Sequence, residues 1–417
     1  PEKFALVPQH GSIVHQQRLF GYTEEELRII VAPMASYGAE PVGSMGSDTP
    51  IAVLSDRPRL VFDYFTQLFA QVTNPPLDAI REGLVTSLSA TLGPERNPLV
   101  AEALSCRQIT MPFPIITNAD LAKLLYINEH GETPGFKALA VDGLFGVKGG
   151  GAALAAALER ICAQVVDAVE DGTNIVVLSD RHATSELAPI PSLLLTSAVH
   201  HHLVRSKLRC KTSLVLETGE AREVHHMALL VGYGAAGVNP YLAIDSLREM
   251  AAAGQLGDIT PDQATTNFIK AAGKGVLKTM SKMGISTIAS YTGAQVFEAI
   301  GLDGSLVERY FTGTPSKLGG SDLDVLAAEA ASRHHLAFIE REAELDHREI
   351  EIGGEYQWRR EGEYHLFNPK TVFKLQHATR SGRYDVFKEY TKLVDDQSER
   401  LATLRGLLRF NPAGRHA

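Results

Sequence analysis

The sequence predicts an α/β fold built on a parallel sheet. Short apolar runs recur at Phe136 to Phe145, Asn174 to Leu178, Ser213 to Leu216 and Gly237 to Leu242. Segments with helical character alternate with them, at Gly151 to Glu170, Pro191 to Ser206, Val224 to Val231 and Ile244 to Ala253. The strand-like runs are apolar at consecutive positions, the pattern of strands covered on both faces. A closed β/α barrel and an open doubly wound sheet both satisfy this rhythm, and the rhythm alone does not choose between them.

Taken in order, residues 1–19 read as an arm, with Gly11 and several polar residues. Thr23 followed by Glu26 is a capping box, and the acidic first turn suits the helix dipole, so a helix is expected over Leu27 to Met34. The stretch Gly38 to Gly93 is the one around which the rest of the chain is organised. Gly43 and Gly46 permit a tight turn and a close backbone approach. Ile51 to Leu54 reads as strand-like. Leu60 to Val72 reads as an amphipathic helix, with Phe62, Phe65 and Phe69 as an aromatic face and Pro75-Pro76 as its stop. Leu77 to Leu92 reads as a helix ended by Gly93-Pro94. Residues 93–117 read as irregular, and Met111-Pro112-Phe113-Pro114 is excluded from a central strand. A short helix begins at Thr117, ahead of the alternating region.

Asp262 to Met283 reads as a long helix interrupted by Gly273 and Gly275. Gly284 to Ile288 reads as a short strand, and Thr292 to Ile300, Ser305 to Phe311 and Asp322 to Arg333 as helices. Residues 340–352 are dense in charge, and helices are expected to dominate from Pro369 to Phe410.

Composition narrows the function classes. In 417 residues, 44% are apolar and 21% charged, as in an ordinary globular protein. A net charge of −9 argues against nucleic-acid binding. No run of eighteen apolar residues suggests a membrane span, and a cytoplasmic setting is expected. Cys106, Cys162 and Cys210 are too scattered for zinc or an iron–sulfur cluster, and free thiols are expected. The adjacent histidines His200-His201-His202 and His225-His226 point about 100° apart on a helix, which favours packing over metal ligation.

Three groups of residues are candidate sites. Asp180, Glu217 and Asn239 fall at the C-terminal ends of successive strands, the face on which β/α barrels build sites. Lys274, Lys278 and Lys282 lie in a basic, glycine-bearing segment that suits an anion. The small residues Gly43, Ser44, Gly46, Thr73 and Asn74, with Met45, sit at element ends, where sites are built. No nucleophile elbow is present, and Gly232-Tyr233-Gly234 lacks the rest of a dinucleotide fingerprint.

The residues also carry a family resemblance. FGYTEEELRIIVAPMASYGAEPVGSMGSDTPIAVLSDRPRLVFDYFTQLFAQVTNPPLDAIRE (20–82), LVLETGEAREVHHMALLVGYGAAGVNPYLA (214–243), KGVLKTMSKMGISTIASYTGAQVFEAIGL (274–302) and GGEYQWRREGEYHLFNP (353–369) resemble the central region of the glutamate synthase large subunit. The resemblance runs through nearly the whole chain. It implies an incomplete TIM-barrel-like parallel β/α domain over 20–302. It also implies a mainly helical extension over 303–417 that leads to an FMN-binding domain.

The family's reaction makes L-glutamate from L-glutamine and 2-oxoglutarate. An amidotransferase domain releases ammonia, which travels a tunnel to the FMN site. Electrons come through an iron–sulfur cluster from an NADPH-oxidising small subunit or from ferredoxin. Position 1 here is proline rather than the glutaminase cysteine, and clustered cysteines are lacking. The expectation is therefore a connecting domain that binds no cofactor alone and does not turn over alone. The resemblance places Gly43, Ser44, Met45, Gly46, Thr73 and Asn74 beside the ammonia path and the FMN site. The competing expectations are an independent β/α-barrel enzyme acting at Asp180, Glu217 and Asn239, and a structural spacer.

Overall fold

The fold was determined as a computed structural model, which describes residues 12–68, 78–97, 99–100, 102–129, 131, 133–339, 350–397, 400–408 and 411. Helix α1 (Ile13–Leu19) is capped by Ser12. Helix α2 (Glu24–Glu26) starts at the expected capping box, with Glu26 returning to the Thr23 N–H. A π-type segment (Leu27–Val31) carries it into α3 (Ala32–Tyr37), which ends at Gly38 with φ of +59°.

Several expectations between residues 51 and 111 are corrected. Ala52–Leu54 is a 3-10 turn, not a strand. Leu60 to Leu68 does not form the expected helix: a 3-10 turn (Val61–Tyr64) leads into strand β1 (Phe65–Gln67), and residues 69–72 lie outside the described residues. Aromatic residues suit a pleated surface, and pairing with a strand more than two hundred residues away outweighs the local helical spacing. Helix α4 (Ala79–Val85) is shorter than expected, because strand β2 (Ala90–Leu92) pairs antiparallel with β3 (Ile109–Met111). Met111 thus lies in a strand of a two-stranded ribbon, outside the main sheet.

Helix α5 (Asn118–Leu125), capped by Thr117, precedes β4 (Ala138–Asp142). The expected single strand over Phe136 to Phe145 is divided at Gly143. Its second part, β5 (Leu144–Gly146), turns away to pair with β7 (Leu187–Pro189). The alternating region then runs α6 (Gly150–Glu170), β6 (Ile175–Ser179), β7, α7 (Ser192–Arg205), β8 (Ser213–Glu217), α8 (Val224–Gly232), β9 (Ala235–Asn239) and α9 (Tyr241–Ala252).

Strands β4, β6, β8 and β9 form one parallel sheet in that order, so each new strand is added on the same side. Every residue of β6 and β8 is buried, as their continuous apolar runs require. Each such Val or Leu contributes about 1.5–3 kcal/mol by leaving water. The barrel is not closed. The outer edge of β9 is met by the segment through Ile115, whose neighbour Ile116 donates its N–H to the Val238 carbonyl.

Helix α10 (Pro261–Lys282) runs without a break. Its glycines are close approaches, not interruptions: a Cβ on Gly273 would lie 2.2 Å from Phe113 and one on Gly275 2.4 Å from Val224. Gly284 to Ile288 forms a turn with one bridge, Ser87 to Thr287, and leads into α11 (Ile288–Tyr291). The expected helix over Thr292 to Ile300 is instead β10 (Phe297–Leu302), held between β1 and β11 (Ser316–Ser321), with α12 (Gly304–Tyr310) between the last two. Helix α13 (Leu323–Phe338) packs on α6 and α1. The tail carries α14 (Pro369–Ser381) and α15 (Tyr384–Asp395). The charged residues 340–349 lie outside the described residues.

Candidate functional site

A cavity of about 520 Å³ opens between the turn after α3, the C-terminal half of α10 and the start of α8. The turn is built by Val42–Met45, entered through Pro41. Gly43 lets it lie against α3's approach: an added Cβ would meet Ile30 Cδ1 at 2.2 Å. Gly46 has φ of +93°, a conformation that favours glycine. Both glycines line the cavity, whose apolar side is formed by Ile30, Met34, Phe65 and Phe297. Ser44 and Met45 share that turn, though their side chains lie outside the described set. Thr73 and Asn74 lie outside the described residues altogether.

The opposite wall is charged. Arg59 donates to both oxygens of Glu355, at 2.7 and 3.1 Å, and approaches Asp63 at 3.2 Å. The Tyr356 hydroxyl donates to Glu223 Oε1 over 3.2 Å. Burial, reinforced by Glu26 nearby, pushes the Glu223 carboxyl up to about 8, so it is mostly neutral at pH 7. These five residues also line a smaller cavity of about 130 Å³ on the other side, next to Arg222 and Glu26. They form the partition between the two spaces.

The segment carrying Glu355 and Tyr356 is fixed by Glu25. That carboxylate accepts N–H bonds from Gly354, Glu355 and Tyr356 at one oxygen and from Gln357 at the other, at 2.7 to 3.1 Å. His225 sits under the partition, its Nε2 3.2 and 3.1 Å from the Phe62 and Phe65 carbonyls, so that nitrogen carries the proton. His226 turns away and stacks on Phe62 at 4.2 Å. Burial lowers the pKa of both rings. Among the described residues no group of His, Cys, Asp or Glu is arranged to hold a metal. Cys106 and Cys210 are exposed free thiols and Cys162 is a buried one.

The lysines lie one turn apart on α10, and each meets a partner from another segment. Lys274 Nζ donates to the Gly38 carbonyl at 3.2 Å, Lys278 meets Glu40 at 3.0 Å and Lys282 lies 3.6 Å from Glu82. Lys278 and Lys282 border the cavity.

Asp180, Glu217 and Asn239 do stand together at the strand ends, but they are buried and bonded to their own surroundings. Asp180 accepts from the Thr218 hydroxyl at 2.6 Å and the Gly219 N–H at 3.0 Å. Glu217 accepts from Ser179 at 2.7 Å and from Arg181 at 2.5 Å. The Asn239 amide donates to Ile116 and Asn118. An FMN phosphate needs free N–H donors and cationic groups. Here the Gly219 N–H is taken, and Arg181 is paired and lies 3.8 Å over the Tyr241 ring. These groups are mostly engaged within the protein and present no FMN phosphate cradle, while Arg181 Nη2 and Asn239 Oδ1 are buried without a partner among the described residues. Their polarity ties neighbouring loops to the sheet.

Reasoning from the sequence missed the partition. Arg59, Asp63, Glu223 and Glu355 carried no motif, and Tyr356 stood in a charge-rich stretch without an assigned role. The available signals were Glu223 immediately before an apolar helix and the place of all five residues inside the stretches that carry the family resemblance.

The fold is a parallel α/β unit with an open cavity beside the turn after α3. Residues 15–303 match the family described as glutamate synthase central domain, and the chain belongs to that family. It is 44% identical over 403 residues to the "Glutamate synthase [NADPH] large chain" of Bacillus subtilis, covering 97% of this chain and 26% of that protein. It is 43% identical to "Glutamate synthase [NADH]" of Schizosaccharomyces pombe, over 94% of this chain and 18% of that one. "Ferredoxin-dependent glutamate synthase 2" of Synechocystis is 39% identical over 96% of this chain and 26% of its own length. The chain thus spans about a quarter or less of these relatives. Among solved structures, a flavocytochrome b2 mutant with benzoylformate aligns with 42% of this chain and 37% of its own, at 14% identity and a TM-score of 0.29. A likeness that low carries no argument. No helix among the described residues is long and apolar enough to cross a membrane.

Proposed function

We propose that the chain is the connecting domain of a glutamate synthase, the enzyme that forms L-glutamate from L-glutamine and 2-oxoglutarate by reductive amination. In this reading residues 20–302 are an incomplete relative of a β/α barrel, and 303–417 connect it to the FMN-binding domain. An amidotransferase domain supplies ammonia, and FMN and an iron–sulfur cluster elsewhere in the intact enzyme handle electrons. The observation that carries the reading is the family match along 15–303, with relatives named as glutamate synthases matching through the tail.

The cavity beside Gly43 and Gly46 suits part of an ammonia path. One side is apolar, Lys278 and Lys282 at its border are paired with Glu40 and Glu82, and on the charged wall Arg59 is paired with Asp63 and Glu355 while the Glu223 carboxyl is held neutral. The family resemblance is what places Ser44, Met45, Thr73 and Asn74 on the same path, and a flexible thioether suits a narrow bore.

The test uses the full-length protein. Met45→Trp is expected to cut glutamine-dependent glutamate formation at least tenfold while synthesis from added ammonia keeps most of its rate. Equal loss of both rates, or loss of neither, removes this turn from the path. Absence of glutamate formation in the unmodified full-length protein removes the functional reading itself.

A further inference from the structure

The smaller cavity, of about 130 Å³, is lined by a buried cation with no close counter-charge. It lies beside the C-terminal end of β8, because Arg222 and Glu223 in its lining sit between that strand and α8. In parallel α/β sheets the carboxyl ends of the strands are where ligands bind. Other arginines of the lining are matched to acids. Arg222 meets Glu26 at 2.8 Å, Arg57 meets Glu351 at 3.1 Å and Arg59 meets Glu355 at 2.7 Å. Arg333, on α13, has no such match among the described residues. Its Nη1 donates to the Arg59 carbonyl at 2.8 Å, and its Nη2 stands 3.9 Å from Glu220 Oε1, beyond hydrogen-bond reach. Glu220 is engaged elsewhere, since its other oxygen accepts from the Ser192 N–H and hydroxyl at 2.8 and 2.7 Å. The Arg333 side chain is only 5% exposed. Burial lowers its pKa, although Glu220 and Glu329 oppose the shift. A buried charge without a close partner is costly, and an anion in the cavity offsets that cost.

We propose that this cavity is a binding site for a small carboxylate, whose charge is met by Arg333 and whose short carbon body faces Leu60, Leu336 and Ile350. Those three apolar residues share the lining with the arginines, so the space suits an organic acid better than a bare inorganic ion. Size sets the upper limit. A cavity of about 150 Å³ holds benzene, so this one holds a molecule of roughly four to six non-hydrogen atoms. Glu223 supplies a second contact. Tyr356 donates to its Oε1, and a neutral carboxyl keeps its own O–H to donate to an incoming carboxylate. Simple acids and small amino acids share this chemistry. The site lies on the other side of the partition from the proposed ammonia path and does not depend on that reading.

Titration calorimetry on the full-length protein tests the assignment, with acetate, glycine and acetamide as probes and no other carboxylate in solution. Acetate is expected to bind, and acetamide, which has the shape without the charge, at least tenfold more weakly. Arg333→Met should weaken acetate binding at least tenfold. Glycine bound as tightly as acetate, or more tightly, identifies a small amino acid as the ligand, and glycine bound more weakly identifies a simple acid. If Arg333→Met does not fold, a crystal structure of the unmodified protein with acetate decides. Acetate within hydrogen-bond distance of Arg333 Nη2 upholds the site, and water alone at that position overturns it. No binding of acetate, equal binding of acetamide, or equal binding of acetate by a folded Arg333→Met variant also overturns it.

Discussion

Tyr356 donates its hydroxyl to Glu223 across 133 residues of sequence, and the pair lines both neighbouring cavities. Glu223 is set at the start of α8, and Tyr356 is delivered by a segment that Glu25 holds against α2. A carboxyl and a phenol thus meet in a wall with Arg59 and Glu355 beside them. Substitutions in that wall and around it have measurable consequences.

Glu223 makes stability depend on pH. Its pKa rises on folding from 4.5 to about 8, so between those values the native protein holds a proton that the unfolded chain has released. Stability attributable to this group therefore falls as pH rises through that window. Glu223→Gln keeps an acceptor for Tyr356 and removes the slope. The melting temperature of the variant relative to the parent is expected to climb from about pH 5 to pH 8. Parallel curves across that range would show that Glu223 is ionised in the native protein.

Arg222 and Glu26 meet at 2.8 Å with both side chains largely buried, and Arg222 also donates to the carbonyls of Phe20 and Gly21. Arg222→Met leaves the Glu26 carboxylate without its cation and is expected to cost about 3–5 kcal/mol. Adding Glu26→Gln should recover part of that loss. Urea titration at unchanged slope measures both, and a double variant no better than the single one would mean that packing of Arg222 on Tyr22, not its charge, sets the cost.

Glu25→Ala removes the single acceptor of four backbone N–H groups. Hydrogen bonds to a charged group contribute about 1.5–3 kcal/mol each at most, and water can replace some here, so a total loss of about 3 kcal/mol is expected. Exchange of the 354–357 amides should accelerate well beyond that of the β6 and β8 amides. Uniform acceleration throughout the chain would indicate global destabilisation with no special role in holding this segment.

Gly275→Ala sets two effects against each other. In a helix interior Ala is favoured over Gly by about 1 kcal/mol. The added methyl, 2.4 Å from Val224 Cγ2, forces a shift that typically costs about 1–3 kcal/mol. A lowered melting temperature is expected, and an increase would show that α8 yields easily at this contact.

Local chemistry made much of the protein legible in its sequence. The parallel region was marked by β6 and β8, whose side chains are apolar at nearly every position because both faces are covered. The Thr23–Glu26 capping box placed α2, and Thr117 placed α5, because caps are satisfied within a few residues. Close resemblance along the chain indicated the family.

Tertiary structure decided whatever depends on distant partners. Phe65 and Phe297 lie in strands because β1 and β10 pair with each other, a relation that neither segment expresses locally. Gly273 and Gly275 read as helix breaks in isolation, whereas in the fold Phe113 and Val224 occupy the space their missing side chains leave. Asp180 and Glu217 stood correctly at strand ends, yet only their hydrogen-bond partners revealed them as internal ties. The partition of Arg59, Asp63, Glu223, Glu355 and Tyr356 gathers charges from three distant segments. Its shifted pKa arises from burial, a property of the folded molecule that no stretch of the sequence carries alone.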